Sequence, residues 1–256
     1  ADELEKTILA EGPETVAGFI AEPLMGVGGV LPPPVDYFKR VRAILSKHDI
    51  LMIDDEVICG FWRTGADFGA TAFGMAPDTM TLAKAMSSAY APISAVLIPD
   101  KIYDAMIEPS ATNGTFGHGF TYGGHPVSCA VALKTLELME RWKIAEHVAD
   151  VGPYFQRRLR GFADHPFVGD VRGVGLIGGI ELVADKKTKK QFDPLGPLGL
   201  AVDRACLQEG LIIRPLGDTI AFCPPLIITR AEVDELFRRF ERGLRAAAEH
   251  FSARNA

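Results

Sequence analysis

Short apolar runs alternate with a segment of helical periodicity through the first half of the chain. The runs at residues 16–21, 50–53, 80–82 and 93–98 have the length of buried strands, and apolar side chains recur at helical spacing across residues 35–48. Strands that alternate with helices are typical of a largely parallel sheet whose two faces are covered by helices. The pattern therefore predicts an α/β fold with a mostly parallel sheet.

The pattern changes after a helix predicted from about residue 125 to 142. The segments that follow are a long helix to about residue 162, strands at 167–171, 175–183, 211–213 and 219–222, and helices at 198–208 and from 230 to about 250. This order predicts a smaller α+β domain. We place the boundary at the start of the long helix, which gives two domains, residues 1–143 and residues 144–256.

The composition argues against several classes of protein. The 256 residues are 48% hydrophobic and 23% charged, and the net charge of −6 offers no basic surface for a nucleic acid. No apolar run has the length of a membrane span, and no secretory signal opens the chain. The four cysteines (Cys59, Cys129, Cys206 and Cys223) are widely spaced among apolar neighbours, so we expect buried thiols and a cytoplasmic location.

One lysine stands out against this background. Lys84 follows the apolar run Thr79-Met-Thr-Leu-Ala, and an acid pair, Asp54 and Asp55, follows the earlier run Ile50-Leu-Met-Ile. We expect Lys84 to be buried, because the sequence around it has little polar surface. Burial disfavours the charged ammonium form of a lysine and leaves an amine nucleophile, which forms Schiff bases with aldehydes. Functional residues gather at the carboxyl ends of parallel strands, where the acids and the lysine both fall.

The acid pair supplies the second part of the expected site. Side chains alternate along a strand, so Asp54 and Asp55 are expected to point to opposite faces. We assign Asp55 to the site, because a carboxylate held against a pyridine nitrogen keeps that nitrogen protonated and makes the ring an electron sink. An amine nucleophile beside such a carboxylate suggests pyridoxal phosphate (PLP). The alternative for Asp55 is an acid that caps the next loop.

A glycine-rich loop before the helix near residue 125 supplies a candidate phosphate site. Its sequence, Gly114-Thr-Phe-Gly-His-Gly-Phe-Thr-Tyr-Gly-Gly-His-Pro, brings backbone N–H groups and a hydroxyl together, and we expect Thr121 to be the donor. His118 and His125 have no third ligand spaced nearby, so we expect no metal. The G-x-G-x-x-G match that starts at Gly173 runs into a strand rather than a helix, which argues against a dinucleotide site.

Arg214 is the candidate for substrate binding. It follows a short predicted strand and precedes a turn. Its guanidinium is a planar fork that suits a substrate carboxylate. The alternatives are a surface arginine or an ion pair with Asp218, and the sequence alone leaves them open.

Five segments together resemble the class III aminotransferases, the ω-amino acid and amine:pyruvate enzymes of PLP fold type I. They include Leu51-Met-Ile-Asp-Asp-Glu-Val, Pro77-Asp-Thr-Met-Thr-Leu-Ala-Lys-Ala and His118-Gly-Phe-Thr-Tyr-Gly-Gly-His-Pro, and they span the chain in the family's order. The resemblance implies the PLP-transferase fold, with helices on both faces of a mostly parallel sheet and a smaller C-terminal α+β domain. It also implies a homodimer with shared active sites.

The resemblance implies a role for each candidate residue. Lys84 would hold the cofactor as a Schiff base and then move the proton between substrate and cofactor. Asp55 would pair the pyridine nitrogen, Val57 would pack on one ring face, and Thr121 would donate to the cofactor phosphate of the neighbouring subunit. Arg214 resembles a mobile arginine that binds the carboxylate of an amino or keto acid. The implied reaction moves an amino group from an amine or ω-amino acid to pyruvate or a similar keto acid.

Two departures from the family pattern keep alternatives open. The family has a large N-terminal portion, missing here, that supplies much of the substrate pocket. A position that is often Gln in the family is Ile58 in this chain. The alternatives are another class III PLP enzyme, such as an aminomutase or a decarboxylating transaminase, or a catalytically incomplete fragment that needs a complementary N-terminal portion.

Overall fold

A computed structural model describes the backbone of residues 1–255 and the side chains of residues 1–249 and 251. The helices are α1 (Asp2–Glu11), α2 (Tyr37–Lys47), α3 (Gly69–Phe73), α4 (Asp100–Thr112), α5 (Pro126–Arg141), α6 (Ile144–Arg160), α7 (Pro197–Gln208) and α8 (Arg230–Asn255). The strands are β1 (Gly18–Ala21), β2 (Leu51–Asp55), β3 (Thr79–Leu82), β4 (Ala95–Leu97), β5 (Val168–Val174), β6 (Ile177–Leu182), β7 (Arg214–Leu216) and β8 (Thr219–Phe222). Within the described residues, no helix combines the length and apolar character that a membrane crossing needs.

The chain forms two compact units. The first contains most of the residues up to Lys143, and the second contains the described residues from Ile144 onward. Two short pieces of the earlier sequence, Leu24–Pro32 and Trp62–Gly65, cluster with the second unit. We call these two pieces the inserted segments. The assignment of these units to the two predicted domains stays a prediction.

The first unit is built on a four-stranded sheet in the order β1-β2-β3-β4. The first three strands are parallel, and β4 runs antiparallel to β3. On one face, Phe38, Val41 and Leu45 of α2 recur at helical spacing and form a core cluster with Met52 of β2 and Ile8 of α1. The amphipathic pattern predicted for residues 35–48 is therefore the pattern that buries α2.

The opposite face of this sheet carries Ile20, Asp55, Thr81 and Val96. The strand register pairs Asp55 with Thr81 and Thr81 with Val96, whereas Ile20 pairs with Ile53, two residues before Asp55. Ile20 is 58% exposed and Val96 is 61% exposed. The Asp55 carboxylate therefore lies on a sheet face that is open in this chain. The helix α4 is absent from the sequence prediction, although its apolar residues Ile102, Tyr103, Met106 and Ile107 recur at helical spacing, and none of its residues is buried.

The second unit is built on an antiparallel sheet in the order β5-β6-β8-β7. Its core is aromatic: Phe155 of α6 and Phe237 of α8 have ring centroids 5.3 Å apart, and Phe222 of β8 meets Phe240 edge-on at 4.9 Å. The strand predicted at residues 211–213 is wrong in position. Pairing begins only at Arg214, opposite Ala221 of β8.

The glycine motif at residues 173–178 forms the hairpin between β5 and β6. Gly175 has a φ of 53°, and a Cβ there would lie 2.5 Å from the carbonyl carbon of Thr64. Only glycine permits so close a backbone approach at a positive φ. The motif runs from strand to strand, as its sequence context predicts.

The inserted segments are hydrogen-bonded to the sheet of the second unit. The Arg172 guanidinium donates to the carbonyl oxygens of Gly29 and Val30, with Nε at 3.0 Å from each. Arg63 donates through Nη1 to the carbonyl oxygen of Leu176 at 2.9 Å. Each arginine thereby satisfies backbone acceptors that are far away in sequence.

The four cysteines form no disulfide within the described residues, and they differ in environment. Cys59 and Cys206 are buried, and burial raises the pKa of Cys206 to about 12. Cys129 is half-buried and Cys223 is exposed, so the expectation of burial is wrong for Cys223. The reason is that Cys223 directly follows the end of β8 and is itself outside the sheet.

Candidate active site

Two adjacent parallel strands end at the same edge of the first sheet. β2 ends at Asp55, β3 ends at Leu82, and Lys84 begins the 3₁₀ turn that follows β3. Because β2 and β3 are neighbours in parallel register, the acid and the lysine emerge from the same strand ends. In open α/β sheets this edge is where ligands bind.

Asp55 is half-buried and held through one oxygen. Its Oδ1 accepts from the backbone N–H of Val57 at 3.1 Å and from the hydroxyl of Thr81 at 3.4 Å. No hydrogen bond to Oδ2 is made by the described residues. One oxygen is thus fixed by the protein, and the other is left for a positively charged partner.

Asp54 points to the other face, as the alternation along the strand predicts. It is completely buried, no backbone N–H of the described residues donates to either of its oxygens, and the carboxyl of Glu56 lies beside it. Burial, with the charge of Glu56 nearby, raises the pKa of Asp54 to about 8. This carboxyl is therefore held in its neutral form near neutral pH.

Glu56 was not singled out by the sequence. It is buried, and its two carboxylate oxygens accept from the backbone N–H groups of Gly69 at 2.9 Å and Ala70 at 2.6 Å. These are the first two residues of α3, so Glu56 caps that helix from a distance of thirteen residues. Burial raises the pKa of Glu56, while these hydrogen bonds oppose the shift. No local sequence signal marks a cap of this kind.

The expectation that Lys84 is buried is wrong for this chain. Its side chain is exposed, because β3 has already ended and the chain turns at Lys84 with a φ of 45°. Burial therefore does not identify Lys84 as a functional residue. Its position just after the end of β3, beside the end of β2, does. Positive φ values recur at Ser88 and Ala89. Strained backbone of this kind is often found at functional sites.

Thr121 lies in the loop that leads into α5 and is exposed. The helix N-terminus beyond it is capped by His125, whose Nδ1 accepts from the N–H of Ser128 at 3.4 Å. Two aromatic side chains of the same loop, Phe120 and Tyr122, are about 80% exposed. The loop thus presents a hydroxyl, glycine backbone and aromatic rings on its surface.

Arg214 is exposed and is the first residue of β7. The alternative of an ion pair with Asp218 is wrong. Asp218 is buried, and its carboxylate accepts from the N–H groups of Gly196 at 2.6 Å and Gly199 at 2.7 Å, at the start of α7. Arg214 belongs to the second unit, whereas Asp55, Lys84 and Thr121 belong to the first.

Comparison with known proteins identifies the family. The sequence profile of the family described as Aminotransferase class-III matches residues 1–244. The chain belongs to the class III aminotransferases. These enzymes are PLP-dependent, so the resemblance drawn from the sequence motifs is confirmed.

Two curated class III relatives illustrate the similarity. The diaminobutyrate–2-oxoglutarate transaminase of Halomonas elongata is 46% identical over 247 residues, which cover 95% of this chain and 53% of the relative. A chloroplastic gamma aminobutyrate transaminase of Solanum lycopersicum is 47% identical over 96% of this chain and 47% of the relative. The chain spans about half the length of the curated relatives it matches.

Solved structures confirm the fold as that of class III aminotransferases. The omega transaminase of Pseudomonas jessenii in complex with PMP has a TM-score of 0.94 and 47% identity, over 96% of this chain and 55% of that structure. The α/β architecture with a mostly parallel sheet is therefore that of PLP fold type I.

The residues at the strand edge fit such a cofactor. A half-buried carboxylate with one oxygen unused suits a protonated ring nitrogen, and an exposed amine in the turn after the neighbouring strand suits an aldehyde. Asp55 and Lys84 are therefore the candidates for holding PLP in this chain.

Proposed function

We propose that the protein is a transaminase that moves an amino group from an amine or ω-amino acid to pyruvate or a similar keto acid. The observation that carries the proposal is the pairing of Asp55 and Lys84 at the ends of adjacent parallel strands in a chain of this family. The relatives named above act on diaminobutyrate or gamma aminobutyrate, which supports a donor amine that is remote from any carboxylate.

PLP supplies a reactive aldehyde and a pyridinium ring that withdraws electrons. Asp55 is proposed to keep the ring nitrogen protonated through its unused oxygen Oδ2, while Oδ1 stays on Val57 and Thr81. Lys84 is proposed to bind the aldehyde through Nζ, and later to take and return the proton at the substrate carbon that carries the amino group. Its exposure leaves the amine accessible to both partners.

The remaining candidate residues have proposed roles in binding. Val57 follows Asp55 closely and is half-buried, which suits packing on one ring face. Thr121 is proposed to donate its hydroxyl to the cofactor phosphate of a neighbouring subunit, so the active form is proposed to be a homodimer. The exposed Arg214 is proposed to bind the carboxylate of an amino or keto acid.

We also propose that residues 1–143 are the C-terminal part of the large PLP-binding domain and that residues 144–256 are the small domain. The division of the described chain near Lys143 supports this assignment. A cytoplasmic location is proposed from the four free cysteines, and cell fractionation would test it.

The decisive test replaces Lys84. In the complete protein, Lys84→Ala should abolish the visible absorbance of covalently held PLP and the first half-reaction with an amino donor. Lys101→Ala is the matched control, because Lys101 is also an exposed lysine of the first unit. Unchanged absorbance and turnover in Lys84→Ala would overturn the proposal. A panel of amines with pyruvate then separates transamination from an aminomutase, which needs no keto acid. Release of CO₂ from an amino acid donor would identify a decarboxylating transaminase, which still needs a keto acid to accept the amino group.

A second proposal concerns the 256-residue chain by itself. The sheet face that carries Asp55 is open, with Ile20 and Val96 largely exposed, and the chain spans about half the length of its relatives. We propose that the isolated chain is catalytically incomplete and needs a complementary N-terminal portion. A PLP titration of the isolated chain tests this, because tight binding with turnover would exclude it.

A further inference from the structure

We propose that Thr81 is a positioning residue that orients the carboxylate of Asp55 toward the ring nitrogen of the cofactor. This inference rests on the proposed function, because it concerns the same site. Thr81 belongs to β3, the strand that precedes Lys84, whereas Asp55 ends β2. The Thr81 hydroxyl thus connects the strand that leads to the amine with the strand that carries the acid.

The geometry comes from the strand register. Asp55 and Thr81 are direct partners in the parallel pairing of β2 and β3, so their side chains emerge side by side on one face. The hydroxyl donates to Asp55 Oδ1 at 3.4 Å and also lies 3.5 Å from the carbonyl oxygen of Asp54. Both distances are long for an O–H···O bond, and the proposed role requires the hydroxyl to donate to Asp55 rather than to Asp54 when the cofactor is bound.

Two donors converge on the same oxygen of Asp55. The N–H of Val57 fixes Oδ1 from the carboxylate's own chain, and the Thr81 hydroxyl approaches it from the neighbouring strand. In the proposed role, these two donors restrict rotation of the carboxylate and leave Oδ2, which accepts no hydrogen bond from the described residues, for the cofactor. Threonine suits this role because branching at Cβ restricts its χ1 rotation.

The same strand contains a natural comparison. Thr79 lies two residues earlier on the same face of β3, and its hydroxyl donates to the carbonyl oxygen of Leu97 in β4. Replacing either threonine with valine removes one hydroxyl at nearly constant shape. Only Thr81→Val removes a donor to Asp55.

The experiment compares Thr81→Val, Thr81→Ser and Thr79→Val in the complete protein. The readouts are the dissociation constant for PLP and the pH profile of the visible absorbance of bound PLP, with circular dichroism as a check of folding. Because a hydrogen bond to a charged group is lost, we expect Thr81→Val to weaken PLP binding about tenfold and to shift the pH profile. We expect Thr81→Ser to restore most of the affinity, and Thr79→Val to match the wild type.

Asp55→Asn, measured alone and combined with Thr81→Val, separates this inference from the proposed function. If Asp55→Asn leaves PLP affinity and the pH profile unchanged, the proposal that Asp55 pairs with the ring nitrogen is wrong. If Asp55→Asn weakens binding but Thr81→Val does not, only the role of Thr81 is overturned. An equal loss in Thr79→Val and Thr81→Val would also overturn it, because that result reflects damage to the strand. A smaller effect of Thr81→Val in the Asp55→Asn background supports the proposal.

Discussion

We predict that Asp54 makes the stability of this protein fall as the pH rises toward 8. Its carboxyl is completely buried, and the carboxyl of Glu56 lies beside it. Burial and the neighbouring charge of Glu56 raise its pKa from 3.8 to about 8. At neutral pH the folded protein therefore keeps a proton on Asp54, which the unfolded chain releases.

The sign and the size follow from proton linkage. Between pH 3.8 and about 8 the folded state binds one more proton at Asp54 than the unfolded state does, so the free energy of unfolding decreases with rising pH. The steepest loss is about 1.4 kcal/mol per pH unit. Between pH 6 and pH 8 this amounts to about 2 kcal/mol, since the folded-state group begins to ionise near pH 8. Burial also raises the pKa of Glu56, so its effect on stability has the same sign as that of Asp54.

Asp54→Asn replaces the protonated carboxyl with a neutral group of the same shape. Urea unfolding followed by circular dichroism at pH 6, 7 and 8 measures the free energy of unfolding at each pH. Between pH 6 and pH 8 this free energy should fall by about 2 kcal/mol less in Asp54→Asn than in the wild type. Asp104→Asn is the matched control, because Asp104 is exposed on α4 and should keep the wild-type slope. The reasoning is refuted if the wild type is equally stable at pH 6 and pH 8, or if Asp54→Asn keeps the full slope.

Two further predictions concern the second unit. Gly175→Ala should lower stability by about 2 kcal/mol or more, because a Cβ at its positive φ would meet the Thr64 backbone, whereas a Cβ at Gly117 would meet nothing within 4 Å. Thermal denaturation of Gly175→Ala and Gly117→Ala tests this, and equal midpoints would contradict it. Asp218→Ala should cost about 2 kcal/mol, because it removes the acceptor of two backbone N–H groups at the start of α7. Asp164→Ala, at an exposed position, should change the stability little. Similar urea midpoints for Asp164→Ala and Asp218→Ala would contradict the role of Asp218 as the cap of α7.

The features that follow a local period could be predicted from the sequence. The apolar spacing of α2 identified its buried face, and the two-residue period of β2 separated Asp54 from Asp55. The family and its fold were also recognisable, because the motifs occur in order along the whole chain. These features depend on neighbours a few residues apart.

The features that depend on distant residues or on strand ends could not be predicted. Lys84 has apolar sequence neighbours, but its exposure is decided by where β3 ends and by a positive φ. The cap that Glu56 provides to α3 and the cap that Asp218 provides to α7 join segments that are more than ten residues apart. The start of β7 at Arg214 depends on its pairing with β8.

The inserted segments have a consequence for how this protein can be divided. A polypeptide that starts at Ile144 lacks Gly29 and Val30, whose carbonyl oxygens accept from the Arg172 guanidinium, and lacks Arg63, which donates to Leu176. A single cut near Lys143 therefore removes the hydrogen bonds that Arg172 and the carbonyl oxygen of Leu176 make to the inserted segments. The second unit is an assembly of three stretches of chain, so no one continuous stretch is an autonomous domain with all of its own hydrogen bonds.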